Sequence, residues 1–167
     1  MENPKIESSV QQAINEYLSD YELELLSCID GCESPIEQLM ALALYTKSQS
    51  WAVSNRCNKL NLDIVDIQTQ GEVVSSSGKK YRADFIIPVF DLKTHNSKCF
   101  VIECDGHEFH EKTKQQAMRD KQRERALVEK GYVVVRFSGS EIYKNPNACA
   151  EEVFQIIFQN FMVQAAL

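Results

Sequence analysis

Three carboxylates lie where a sheet should be burying hydrocarbon. In the stretch 83–110, ADFIIPVFDLKTHNSKCFVIECDGHEFH, Asp84 interrupts one apolar run while Glu103 and Asp105 close the next. Side chains alternate along a strand, so Val101, Glu103 and Asp105 share one face and Phe100, Ile102 and Cys104 the other. The same alternation on the preceding strand groups Arg82, Asp84 and Ile86 opposite Ala83, Phe85 and Ile87. If the two strands pair through a turn at 91–97, Asp84 lies at the same end as Glu103 and Asp105, and the three acids converge. Carboxylates held within a few ångströms repel one another and rise in pKa unless a cation lies among them. Oxygen ligands suit Mg²⁺ or Mn²⁺, which accept one or two carboxylates and keep positions for water and phosphate. The chemistry that follows is phosphodiester hydrolysis, with metal polarising the phosphate and lowering the pKa of the attacking water. The competing reading is that these acids are solvated strand ends. The apolar flanks ADFIIP and CFVIECDG argue against loose ends.

The elements that must position these groups follow from periodicity. KIESSVQQAINEYLSDYELELLSCI places Ile6, Val10, Ile14, Tyr17, Tyr21 and Leu25 at helical spacing, giving one long amphipathic helix or two short ones. A second helix over 35–47 opens with Ser34 as N-cap, Pro35 in the first turn and Glu37 three residues past the cap. LDIVDIQTQGEVV, KKYRADFIIPVF and KCFVIEC then read as three strands joined by the turn-rich SSSGKK and DLKTHNS. Short links favour antiparallel pairing. EKTKQQAMRDKQRERALVEKG is helical and ends at Gly131, YVVVRFS is a fourth strand, and ACAEEVFQIIFQNFMVQAAL is a last amphipathic helix. A helix between the last two strands makes them parallel, so the expected fold is α/β with a mixed sheet and helices on its faces.

Bulk properties restrict the class. A chain of 167 residues with 44% hydrophobic content supports one sizeable core. Residues 1–33 are expected to be a helical segment packed on a single domain of residues 34–167. No apolar run approaches the roughly 18 residues of a membrane span, and MENPKIESSVQQ lacks the order of a signal peptide, so a cytoplasmic protein without membrane partners is expected. Six cysteines then read as reduced thiols, and Cys28 with Cys32 lacks the second pair that a zinc site needs. The net charge of −6 argues against a general nucleic-acid coat but leaves room for a local basic face.

Taken together, YRADF, VIECDGHEFH and RDKQRERALVEKGYVVVRF resemble the PD-(D/E)XK restriction-endonuclease-like superfamily. They are most similar to the small branch near the very-short-patch repair endonucleases, an E-x-D-G variant. The resemblance covers about residues 34 to 143 and implies an αβββαβ core. It implies that Asp84 and Glu103 are metal ligands, with the Cys104 backbone carbonyl as a third, and that Glu37 completes the acidic site. The implied cofactor is Mg²⁺ or Mn²⁺ and the implied partner is DNA, with RNA and a homodimer left open. One departure stands out. The superfamily's lysine, two residues after the acid, is replaced by Asp105. His107 is the nearest substitute for handling water, since an imidazole titrates near neutrality, and Lys112 and Lys114 are alternatives. The replacement keeps a second function in view, a non-catalytic nucleic-acid-binding module on a nuclease scaffold.

Other residues carry two readings. Glu37 fits a capping box with Ser34 as well as it fits a metal site. HEFHE falls one residue short of the HExxH zinc motif, which leaves His110 a weaker candidate than His107. Asp120 and Arg123 fall on the helical stripe of Ala117 and Leu127, where the pattern expects burial, which favours a partly buried pair or an active-site wall over a solvated i,i+3 salt bridge of little worth. Arg119, Lys121, Arg123, Arg125 and Lys130, with Lys79, Lys80 and Arg82, form a largely solvated basic face with one edge able to meet phosphates.

Overall fold

The computed structural model describes residues 4–57, 62–64, 66–106 and 114–162. Two helices, α1 (Pro4–Ile29) and α2 (Pro35–Cys57), precede strands β1 (Leu62–Ile64), β2 (Gln68–Val74), β3 (Lys80–Asp91) and β4 (Ser97–Asp105). The crossover helix α3 (Lys114–Glu129) leads to β5 (Val133–Ser138), followed by α4 (Gly139–Lys144) and α5 (Pro146–Met162). The expected α/β order therefore holds, with three refinements, one of them the short helix α4, which was not expected. The run read as one strand from Leu62 is two, β1 and β2, both lying along the same edge of β3. Their registers differ by one residue: Ile64 faces Val89, whereas Gln68 faces Ile86. Helix α2 runs ten residues beyond the expected end at 47.

β3 is the hub, antiparallel to β1, β2 and β4, and β4 is parallel to β5 across the α3 crossover. Hydrocarbon covers both faces of the sheet. On one, Phe85, Ile87, Phe100, Ile102 and Phe137 pack against Met40 and Leu44 of α2, Ile142 of α4, and Val153, Phe154 and Ile157 of α5. On the other, Val73, Ala83, Ile86 and Val101 pack against Leu127 of α3. Among the described residues helix α1 meets the domain over its last turns, where Glu24 accepts from the Tyr45 hydroxyl and Ile29 reaches the main core; Val10, Ile14, Tyr17, Leu18 and Tyr21 are exposed. Among the described residues no helix is long and apolar enough to cross a membrane.

Strict alternation along β3 fails at Asp84. Ala83 was expected on the face of Phe85 and Ile87, yet it packs with Ile86 and Val101 on the α3 side, while Phe85 packs on the α2 and α5 side. The face assignment slips at Asp84. The same slip occurs across the ladder, where Gln70 has φ +52° between the Thr69↔Phe85 and Gly71↔Ala83 pairs. A left-handed residue rotates the strand locally, here with no inserted residue, since the register is the same on both sides. Beyond it, Gly71 faces Ile86 so closely that a Cβ would come within 2.4 Å of its Cδ1 and 2.7 Å of its Cγ1. A strand glycine here marks a close approach of backbone to side chain.

Gly71→Ala should therefore force Ile86 off its rotamer and cost roughly 1–3 kcal/mol, as overpacking does. Thermal melts of the two proteins check it, the variant melting several degrees lower; equal melting temperatures would show that the strand accommodates the methyl group.

Candidate active site

The site forms where β3 and β4 separate. Their ladder runs from Phe90↔Ser97 to Phe85↔Ile102. One step further, the Cys104 backbone N–H donates to the Asp84 carboxylate at 2.7 Å, so a side chain takes the donor that a ladder bond would have used. Asp84 is thereby fixed against β4. Burial is the main influence raising its pKa; nearby Glu37 and Asp105 add to the rise, and the Cys104 amide and Arg123 oppose it.

Among the described residues Glu103 is the most buried charged group, with 2% of its surface exposed. It lies on the α3 face of β4, as alternation from Val101 requires. Arg123, on α3, reaches one carboxylate oxygen through Nη2 at 2.7 Å, and Arg136 of β5 is its neighbour in the parallel register. The other oxygen, Oε1, is buried without a hydrogen-bond partner, as are Arg123 Nε and Arg136 Nη2. Desolvation outweighs both guanidinium groups and, with the charges of Asp84 and Asp105, lifts the Glu103 pKa to about 7. Buried Glu103 and half-buried Asp84, both with raised pKa values at the open end of the sheet, make this end the candidate functional centre.

Glu37 closes the site from α2. Its carboxylate accepts from the Ser34 hydroxyl at 2.7 Å, from the Glu33 amide at 2.9 Å and from the Gln70 side-chain amide at 2.6 Å. The Glu37 amide in turn donates to Ser34 Oγ at 3.3 Å. The two readings of Glu37 thus coexist: it caps the helix, and its charge is still felt at Asp84. Asp105 is half-buried at the end of β4, paired in register with Ser138. The Cys104 thiol turns toward the α2 and α5 core, and burial with the charges of Asp84, Glu37 and Glu103 drives its pKa far above the ordinary range. It stays a neutral thiol, so any ligand from Cys104 would be its backbone carbonyl. His107, His110, Lys112 and the side chains of Lys114 and Ala117 lie outside the described residues.

The structure brings Asp84, Glu103, Asp105 and Glu37 into one electrostatic neighbourhood. It does not draw three of them into a ligand cage: among the described residues no three His, Cys, Asp or Glu side chains are grouped so as to hold a metal. The donor set nevertheless fits a hard cation in one respect, because the buried Glu103 Oε1 has an open lone pair beside a second carboxylate. Orphaned Arg123 Nε and Arg136 Nη2 are donors of the kind that phosphate oxygens accept. Three participants were not among the sequence candidates. Gln70 was signalled by the strand glycine after it, Arg136 by standing alone in the apolar YVVVRFS, and Glu33 by nothing beyond its place next to the cap. The basic face is partly paired: Arg82 grips Glu33 through both Nη atoms at 2.6 and 2.5 Å, Lys80 meets Glu72, and Lys79 lies over the Tyr81 ring. Arg119, Lys121, Arg125 and Lys130 are exposed.

A family model described as REase_MTES_1575 matches residues 57–157, which include β1 to β5, both site carboxylates and both guanidinium groups. The chain belongs to this restriction endonuclease-like family. No curated protein and no solved structure matches the chain at a significant level. The mixed sheet flanked by helices is the restriction-endonuclease-like core expected from the sequence resemblance.

A raised carboxyl binds its proton more tightly in the folded chain than in the unfolded one. Ionising Glu103 therefore opposes folding fully above pH 7, and the opposition is relieved as pH falls from about 7 toward the ordinary glutamate value of 4.5. The metal-free melting temperature should fall as pH rises between about 5 and 7.5, and Glu103→Gln should flatten that slope. Melts of both proteins in EDTA across that range provide the check; identical slopes would remove Glu103 as the titrating group.

Proposed function

We propose that this chain is a Mg²⁺- or Mn²⁺-dependent endonuclease that hydrolyses DNA phosphodiester bonds. The observation that carries the reading is the buried Glu103 carboxylate, with one oxygen open, beside Asp84 at the splayed end of β3 and β4 in a restriction endonuclease-like chain. Asp84 and Glu103 would hold the ion, with the Cys104 carbonyl as a third ligand. When bound, the ion supplies a polarised phosphate and a water of lowered pKa. The remaining work belongs to the chain. The Cys104 amide orients Asp84. Gln70 and the helix cap hold Glu37 behind the acids. Asp105, in the position where the superfamily carries lysine, and His107 would accept or relay the water's proton. The E-x-D-G arrangement of Glu103, Asp105 and Gly106 supports placing the chain near the very-short-patch repair branch.

A second reading has its own observation. Arg123 already neutralises one oxygen of Glu103, and Asp105 replaces the lysine, which is what a scaffold retained for binding nucleic acid without cutting it would show.

Incubating the protein with plasmid, single-stranded DNA and RNA decides between them. Cleavage is expected with Mg²⁺ or Mn²⁺, not with EDTA, and Asp84→Ala or Glu103→Ala should abolish it while the fold persists. His107→Ala should lower turnover by roughly 10²-fold if the imidazole handles the proton. Cleavage that survives EDTA or both acid variants overturns the metal assignment, and binding without cleavage under every condition favours the second reading. In metal-free protein Asp84→Asn should also raise the melting temperature by a few degrees, because it keeps an acceptor for the Cys104 amide and removes one of the repelling charges.

A further inference from the structure

Two arginine–carboxylate pairs in this chain differ in a way that separates a fastener from a moving part. Arg82 engages Glu33 fork to fork, both Nη atoms on both oxygens, the geometry that makes such pairs specific and persistent. Arg123 engages Glu103 with one nitrogen only, Nη2. Its Nη1 makes a 3.4 Å contact with the Arg82 carbonyl, and its Nε is buried without a partner, as is the second oxygen of Glu103. A guanidinium has five donors in a rigid fork, and here the fork is turned so that its buried Nε meets no acceptor. The two partners also differ in access. The Arg123 side chain keeps 23% of its surface in solvent, whereas Glu103 keeps 2%. The arginine can therefore swing outward along α3, and the carboxylate cannot follow. If it leaves, Glu103 is not stranded among apolar groups, because Arg136 remains beside it in the parallel register.

We propose that Arg123 is a latch on Glu103: its guanidinium balances the carboxylate in the metal-free protein, a divalent cation takes over that role, and the released guanidinium turns to the phosphate backbone of the substrate. The proposal rests on the metal-dependent nuclease reading. It explains why a site lacking the superfamily lysine still carries a cation against the second acid. It also explains why the Nε and Oε1 atoms lack partners in the latched state, since each is reserved for the other state. Arg119, one turn earlier on the same helix face, is exposed and marks the side toward which the guanidinium swings.

Two measurements without DNA test it. Calorimetric Mn²⁺ titrations should give roughly tenfold or more tighter binding to Arg123→Met than to wild type, because a competing cation has been removed. Arg123→Lys, which keeps the charge on a shorter reach, should fall between them. In wild-type protein labelled with ¹⁵N-arginine, the Arg123 Nε–H signal, assigned by its absence from Arg123→Lys, should exchange slowly with water in EDTA and lose that protection when Mg²⁺ saturates the site. The second measurement separates a latch from a fixed charge that weakens metal binding merely by repulsion, and it stands even where Arg123→Met does not fold. Equal affinities, or an Nε–H signal unchanged at saturating Mg²⁺, would overturn the latch while leaving the metal site intact. Failure of wild type and both variants to bind either ion would overturn the latch and the nuclease reading together.

Discussion

A carboxylate inside a sheet is the constraint on which the rest of this structure turns. Glu103 is 2% exposed, flanked along β4 by Ile102 and a half-buried cysteine and covered by a helix. An ionised group so placed must be balanced by charge or give up its ionisation. The chain does some of both. Arg123 on α3 and Arg136 on β5 supply positive charge, and burial still lifts the Glu103 pKa to about 7. That balance dictates which elements must meet: the α3 crossover has to return over this face, and β5 has to lie beside β4 in the register that puts Arg136 next to Glu103.

The second requirement is to bring Asp84 to the same place without burying it on the wrong face. Regular alternation would do this only if the two strands stayed paired to their ends. Instead the strand rotates where Gln70 takes a left-handed conformation, Ala83 moves to the α3 face, and the Asp84 side chain takes the Cys104 amide. The local departure from regular β geometry has a compensating use. The turned Gln70 sends its amide to Glu37, which ties the sheet edge to the capped end of α2. Regular pairing elsewhere along β3 absorbs the cost of one irregular step.

The sequence carried the helices and strands wherever periodicity was strong, and with them the convergence of Asp84, Glu103 and Asp105 at one end of the sheet. Alternation along β4 was legible because Val101, Glu103 and Asp105 follow an uninterrupted pleat. It was misleading along β3, because the face assignment slips at Asp84, opposite the left-handed Gln70 of β2, and only the glycine at 71 hinted at it. The split between β1 and β2 was hidden for a similar reason: the run from Leu62 is apolar enough to read as one strand, and the one-residue offset between its two halves is a property of pairing with β3. Helix α4 was missed although Ser138 and Glu141 form a capping box, with Glu141 accepting from the Ser138 amide at 2.8 Å; six residues are too few to show a period. Arg123 was visible as a charge on a buried stripe, but its partner was not. Partners across a sheet and a crossover are separated by topology and leave no trace in local spacing.

The site draws on Glu37, Gln70, Asp84, Glu103, Arg123 and Arg136, spread over α2, β2, β3, β4, α3 and β5. No hairpin or helix pair contains it. During folding, contacts of such wide sequence separation form late, because chain closure must be completed before they contribute. A chain that has formed only β3 and β4 therefore holds Asp84 and Glu103 without Glu37, Gln70 or either guanidinium group. Competence at this site is gained together with the full tertiary structure, so a chain still emerging from the ribosome has no assembled centre until β5 has docked.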